Sequence, residues 1–117
     1  MQYLLMCCFD EAKWANLPDG QRTKIMDDYG ALVRDLKASG RLLAGAKLDA
    51  GKSAVTVRVK NGKPAITDGP YAETKELLGG YHLIECANRE EAVAIAQRIP
   101  TLAAGGTVEV RPVLHTE

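Results

Sequence analysis

Chemistry-bearing side chains are densest in Asp68-Gly69-Pro70-Tyr71-Ala72-Glu73-Thr74-Lys75-Glu76, which holds four charged groups and a phenol within nine residues. Gly69-Pro70 breaks the backbone ahead of them, since Gly opens unusual torsions and Pro removes a donor. Asp68 and Glu73 are the candidate general acid and base, and Lys75 places a cation beside a developing anion. A carboxylate packed against Tyr71 and Leu77 would have its pKa raised toward neutrality. Glu76 is a weaker candidate of the same kind. The plainer reading is a structural turn, with Asp68 capping backbone N–H groups and Glu73 and Lys75 solvated.

Other residues are candidates to join this group. Tyr29 falls on the apolar stripe of a helix, where its hydroxyl needs a partner once covered. Arg58 stands opposite a row of valines and could hold a carboxylate or phosphate through two N–H groups, or an ordinary ion pair. Tyr29, Arg58, Tyr71 and Lys75 are therefore the candidate substrate-binding residues. His82 lies in a strand and reads as a hydrogen-bonded structural residue ahead of a base, while His115 sits in the C-terminal tail. Two isolated histidines make no zinc site, and no metal or other cofactor is expected. Cys7, Cys8 and Cys86 lack metal or redox spacing and read as free thiols. Trp14 reads as a packing anchor.

The elements that must position these groups follow from periodicity. Tyr3 to Phe9 is a short apolar run of strand length, and Asp10 to Leu17 is a polar connection with room for a helical turn. After Pro18-Asp19-Gly20, Ile25, Tyr29, Leu32, Val33 and Leu36 form one helical stripe that ends at Gly40. Arg41 to Lys47 is a strand. Val55, Val57 and Val59 share one strand face, and Asn61-Gly62 is the pair favoured by a type I′ hairpin returning through Lys63 to Thr67. Gly80 to Cys86 is the next strand. Asn88 with Glu91 has the form of a capping box, Ala92, Ile95, Ala96 and Ile99 give a second helix stopped at Pro100, and Thr107 to Val113 is the last strand.

The order predicts an α+β protein: a ferredoxin-like βαββαβ arrangement with an added β-hairpin. Two helices cover one sheet face, so the other calls for a second copy, as in a dimeric α/β barrel. A chain of 117 residues is expected to form one domain over residues 1–113 with a tail at 114–117. Fifteen basic and fifteen acidic side chains cancel, so no broad positive field draws nucleic acid or anionic lipid. No apolar run approaches the roughly 20 residues that cross a bilayer, and neither signal-peptide features nor disulfide spacing appear, which leads to the expectation of a cytoplasmic protein. Phosphate-loop glycine patterns, RNA-stacking aromatics and iron–sulfur cysteine spacing are all missing.

Tyr3-Leu4-Leu5, the run from Thr67 to Glu76, Gly79-Gly80-Tyr81-His82-Leu83-Ile84-Glu85 and Gly105-Gly106-Thr107-Val108-Glu109-Val110-Arg111-Pro112 together resemble the YCII-related domain family. The closer likeness is to its branch named for an Asp-Gly-Pro-Phe turn, with Tyr71 in place of Phe. The resemblance covers about residues 1–113 and implies a dimeric ferredoxin-like fold, the architecture also used by muconolactone isomerase. It implies no set reaction. A His–Asp pair proposed for some relatives would fall here on Tyr29 and Ile99, so that dyad does not carry over. Three functions stay open: a metal-independent acid–base enzyme for a small polar or carboxylated molecule, a non-catalytic small-molecule-binding or regulatory module, and a structural domain.

Overall fold

The computed structural model describes residues 1–71 and 75–115. Strand β1 (Gln2–Asp10) is followed by helices α1 (Glu11–Asn16) and α2 (Asp19–Ala38), then strands β2 (Leu42–Lys47), β3 (Val55–Lys60), β4 (Lys63–Asp68) and β5 (Glu76–Glu85). Helix α3 (Arg89–Ala96), a 3₁₀ turn at Pro100–Ala104 and strand β6 (Thr107–Pro112) complete the order.

Four strands form one sheet in the order β2-β5-β1-β6. Every neighbouring pair is antiparallel and β5 lies between β1 and β2, which is the ferredoxin-like arrangement with α2 and α3 in the crossovers. Alternation along β1 puts Tyr3, Leu5 and Cys7 on the covered face, where they meet Ile84 of β5, Leu32 and Leu36 of α2, and Ala92, Ile95 and Ala96 of α3. Both helices therefore lie on one face. Leu5, Leu36, Ile84 and Ile99 are the largest fully buried side chains. The opposite face carries Leu4, Met6, Tyr81 and Leu83, which are paired across β1 and β5 and only partly covered.

Local chemistry explains most boundaries. Asp10 caps α1 by accepting from the amides of Ala12 and Lys13, which turns the polar connection into a helix of six residues. Asn88 caps α3 by accepting from Glu91 N at 2.9 Å, and Glu91 reaches back to Ala87 N. Asn61 and Gly62 take φ of 51° and 76°, the left-handed torsions a type I′ turn requires. One strand begins earlier than its composition indicates. β5 starts at Glu76 because Glu76, Leu77 and Leu78 pair with Asp10, Phe9 and Cys8, so Glu76 belongs to the sheet and not to the charged turn. A register shift between Cys7 and Cys8 accommodates the extra Gly79.

Strands β3 and β4 form a separate two-stranded sheet. This hairpin projects as an arm, and the radius of gyration is 16.0 Å where a compact chain of this size would have about 13 Å.

Because Ile84 sits at the centre of the covered face with no exposure, Ile84→Ala should cost about 2–5 kcal/mol. Asn88→Ala should cost about 1 kcal/mol through the lost cap. Urea unfolding of both variants checks the ranking.

Candidate functional site

The inner stripe of α2 does not lie evenly on the sheet. Its Ile25, Leu32 and Leu36 are buried, whereas edge strand β2 is exposed from Leu43 onward. The space left between α2 and the β2 edge is a trough of about 770 Å³. Met26, Tyr29, Val33 and Lys37 of α2 form one wall at helical spacing. Strand β2 forms another, and Cys7 with His82 lies toward the centre of the sheet. Phe9 and Trp14, packed edge to face with ring centroids 6.0 Å apart, also line it. The lining is mostly apolar.

A short polar chain interrupts that lining. The Tyr29 hydroxyl lies 3.0 Å from His82 Nε2 and 3.2 Å from Cys7 Sγ. Tyr29 and His82 rings are 5.5 Å apart at a tilt of 38°. Register and alternation account for the meeting: Cys7 on β1 and His82 on β5 both project toward the helices, and Tyr29 faces them from α2. His82 is 9 % exposed, and its Nδ1 has no hydrogen-bond partner among the described residues. That nitrogen is crowded by Gly45 of β2, where an added Cβ would stand 2.8 Å from it. Only glycine fits there without moving the imidazole.

Burial sets the protonation of all three groups. Loss of water pushes the Tyr29 hydroxyl well above the ordinary phenol value, and the contact with Cys7 adds to the shift. Burial also raises the Cys7 thiol, with the Tyr29 hydrogen bond opposing it in part. It lowers the His82 imidazole. At neutral pH the chain is therefore thiol, phenol and neutral imidazole, held in contact without a fixed charge.

Cations stand elsewhere in the trough. Lys37 at the end of α2 and Lys47 at the end of β2 both line it, and neither has an ion-pair partner among the described residues. The nearby acids are engaged with backbone: Glu11 accepts from Gly51 N at 2.7 Å, and Asp49 from Ala50 N at 2.8 Å.

Of the residues singled out from sequence, Tyr29 lines the trough and Asp68, Arg58, Tyr71 and Lys75 do not. Arg58 and Tyr71 are brought together, the guanidinium standing 5.0 Å from the ring centroid. Asp68 ends β4 and is exposed, as are Tyr71 and Lys75. Glu73 lies outside the described residues. Sequence alone marks His82 as a structural residue and Cys7 as a free thiol, and it does not reveal their junction with Tyr29. The available signal was the buried Tyr29 hydroxyl, which had to find a partner on the sheet.

Among the described residues no group of three His, Cys, Asp or Glu side chains is placed to hold a metal ion, and no helix is long and apolar enough to cross a membrane.

Fold and trough define an α+β protein of split β-α-β topology with a cavity between helix and sheet edge. The YCII-related domain matches residues 1–117, and the chain belongs to that family. An uncharacterized protein of Rhizobium meliloti (strain 1021) is 34% identical over 113 residues, covering 96% of this chain and 91% of that one. Among solved structures, 5-chloro-2-hydroxyhydroquinone dehydrochlorinase from Burkholderia phenoliruptrix AC1100, in complex with 2,5-dihydroxybenzoquinone, aligns with a TM-score of 0.49 at 16% identity. That alignment covers 99% of this chain and 96% of the dehydrochlorinase.

A neutral buried His82 gives a signed pH dependence. The unfolded chain takes up a proton at His82 below its ordinary pKa of 6.5, while the folded chain resists it, so stability is full above 6.5 and falls as pH drops. Cys7 and Tyr29 act oppositely: the unfolded chain releases their protons above 9.0 and 10.0, and stability falls as pH rises through that range. In urea unfolding at a series of pH values, His82→Leu should remove up to one proton's worth of the acid-side slope, about 1.4 kcal/mol per pH unit at most.

Proposed function

We propose that the trough is the active site of an acid–base enzyme for a small, largely apolar molecule carrying a carboxylate or similar anionic group. The observation that carries this reading is the Cys7–Tyr29–His82 chain at 3.2 and 3.0 Å inside an otherwise apolar cavity. A phenol in contact with a neutral imidazole that carries its own proton on Nδ1 can take a proton from a ligand at its oxygen while the phenol proton passes to His82 Nε2. The ligand is then an anion and His82 an imidazolium. Because burial disfavours that imidazolium, it returns the proton readily, through Tyr29, to the same or another atom of the ligand. Lys37 and Lys47, which have no ion-pair partner among the described residues, supply positive charge for the anionic group.

The alternative is a binding module without turnover. The neutrality of all three groups favours it, since a site that only recognises a hydroxyl or carbonyl needs donors and acceptors and no perturbed charge. The charged turn is a second proposed contributor, with Asp68 and Glu73 acting on protons and Arg58, Tyr71 and Lys75 on binding. The Arg58–Tyr71 stack supports a recognition role there. The same turn supports placing the chain in the Asp-Gly-Pro-Phe branch of the family, with Tyr71 for Phe.

The test is a thermal-shift and ligand-observed NMR screen of aromatic and aliphatic carboxylates, followed by turnover assays on every hit. For an enzyme, Tyr29→Phe should lower kcat by about 10²–10⁴-fold with a small change in KM, and His82→Gln should do likewise. For a binding module the same variants weaken affinity by about tenfold and no turnover is seen. Hits that bind Tyr29→Phe and His82→Gln as tightly as the wild type, with any turnover undiminished, would overturn both readings of the trough. A role for Asp68 charge requires that Asp68→Asn impair binding or turnover, with stability held within about 1 kcal/mol.

A further inference from the structure

Three glycines sit where the trough meets the sheet: Gly45 on β2, and Gly79 and Gly80 on β5. Glycine weakens a strand interior, so its presence there calls for a reason. Torsion is not the reason, because none of the three has a positive φ. Gly45 makes room for His82, whose Nδ1 lies 2.8 Å from where a Cβ would stand. Gly80 has another neighbour. Register sets it between Cys7 of β1 and Lys47 of β2, on the same face as His82. A Cβ on Gly80 would stand 3.0 Å from Ala46 O and 3.7 Å from Lys47 Cα, so the vacant place adjoins that lysine. A Cβ at Gly79, the extra residue of the register shift, would meet only Cys7 O, at 3.8 Å. Bare backbone therefore runs from Lys47 to Cys7 across two strand spacings, ~10 Å. It ends at the sulfur that contacts the Tyr29 hydroxyl. Strand glycines of this kind let a ligand lie directly against the main chain.

We propose that this glycine floor seats a planar aromatic carboxylate of one or two rings, its carboxylate on Lys47 and a ring hydroxyl or oxo group beside Tyr29. The proposal rests on the reading of the trough as the active site and names its substrate class. A flat ring keeps contact across two adjacent peptide planes, whereas a puckered ring loses part of it to sub-ångström gaps. Lys47 is the cation such a ring reaches. It lies two residues beyond Gly45, ~7 Å along β2 from the row that holds His82. Lys37 lies eight residues beyond Tyr29, ~12 Å along α2, more than a Debye length at physiological salt. The acids of the trough, Glu11 and Asp49, already accept from the amides of Gly51 and Ala50. Phe9, Trp14 and Leu77 add apolar surface for the ring. The cavity, about 770 Å³, falls within the ~300–1,000 Å³ of ordinary ligand pockets.

Isothermal titration of the full chain with 4-hydroxybenzoate and 6-hydroxy-2-naphthoate tests the proposal. At least one should bind with a Kd below ~1 mM. Trans-4-hydroxycyclohexanecarboxylate, with the same groups on a puckered ring, should bind about tenfold more weakly. Lys47→Met should weaken the aromatic acid about tenfold and leave the corresponding uncharged amide unaffected. Lys37→Met should cost less than Lys47→Met. Lys24→Met, which removes an exposed charge paired with Asp28, should bind like the wild type. Tyr29→Phe should abolish the advantage that the ring hydroxyl gives over the unsubstituted acid. Failure of both aromatic acids to bind, equal binding of the puckered acid, or a larger loss in Lys37→Met than in Lys47→Met would each overturn the proposal. In any of these cases, other ligands that still require Tyr29 and His82 would leave the acid–base reading standing. Aromatic-acid binding that is lost in Lys47→Met yet unchanged in Tyr29→Phe and His82→Gln would overturn that reading, and the placement of the hydroxyl with it.

Discussion

A phenol hydroxyl on the inward stripe of α2 cannot be left without a partner, and much of the candidate site follows from how the sheet answers it. The answer comes from two strands at once. Cys7 on β1 and His82 on β5 reach the same oxygen because adjacent antiparallel strands present side chains in register toward one face. The imidazole in turn requires that edge strand β2 offer no Cβ at Gly45. Helix, central strands and edge strand are thus tied through one hydrogen-bonded oxygen. A purely apolar stripe at Tyr29 would release all of these constraints.

The second constraint is one of coverage. Two helices laid on a four-stranded sheet bury its central strands and leave β2, at the margin, without a lid. The trough is the volume that α2 fails to fill, which is why its walls are the outer positions of the helical stripe and the face of an edge strand. The same shortage leaves the opposite sheet face only partly covered and the valine face of the arm exposed. Cavity and uncovered surfaces are thus consequences of one architecture: a small number of layers around a core centred on Leu5, Ile84, Leu36 and Ile99.

Sequence periodicity made the elements legible because each stripe or alternation has one dominant cause. The helix through Ile25, Leu32 and Leu36, the Asn61-Gly62 turn, the Asn88 cap and the alternating valines all arise from local rules that tertiary contacts did not override. β5 was the exception. Glu76 has a polar side chain, so it reads as turn, yet its backbone pairs with Asp10. The site was less legible for a related reason. Composition draws attention to the charged turn, where residues crowd along the chain, whereas Cys7, Tyr29 and His82 are 22 and 53 residues apart and meet only in the fold. The one local hint was a hydroxyl on a buried helix face.

The direction of hydrogen bonding along that chain is biased by the nitrogen that bonds to nothing. Two polarities are available. In one, the Cys7 thiol donates to Tyr29 and Tyr29 donates to His82 Nε2, which leaves the proton on a buried Nδ1 without an acceptor. In the other, Nε2–H donates to Tyr29 and Tyr29 donates to Cys7 Sγ, leaving only a lone pair at Nδ1. An orphaned buried N–H is the rarer and costlier defect, so the second polarity is favoured in the free protein. The phenol then points its proton at a sulfur, the weakest acceptor in the cavity. A ligand oxygen arriving beside Tyr29 offers a better one. Its binding would redirect the Tyr29 proton from Cys7 to the ligand while His82 continues to donate from behind, and relay of a proton to Nε2 then requires the first polarity, with the imidazole proton moved to Nδ1.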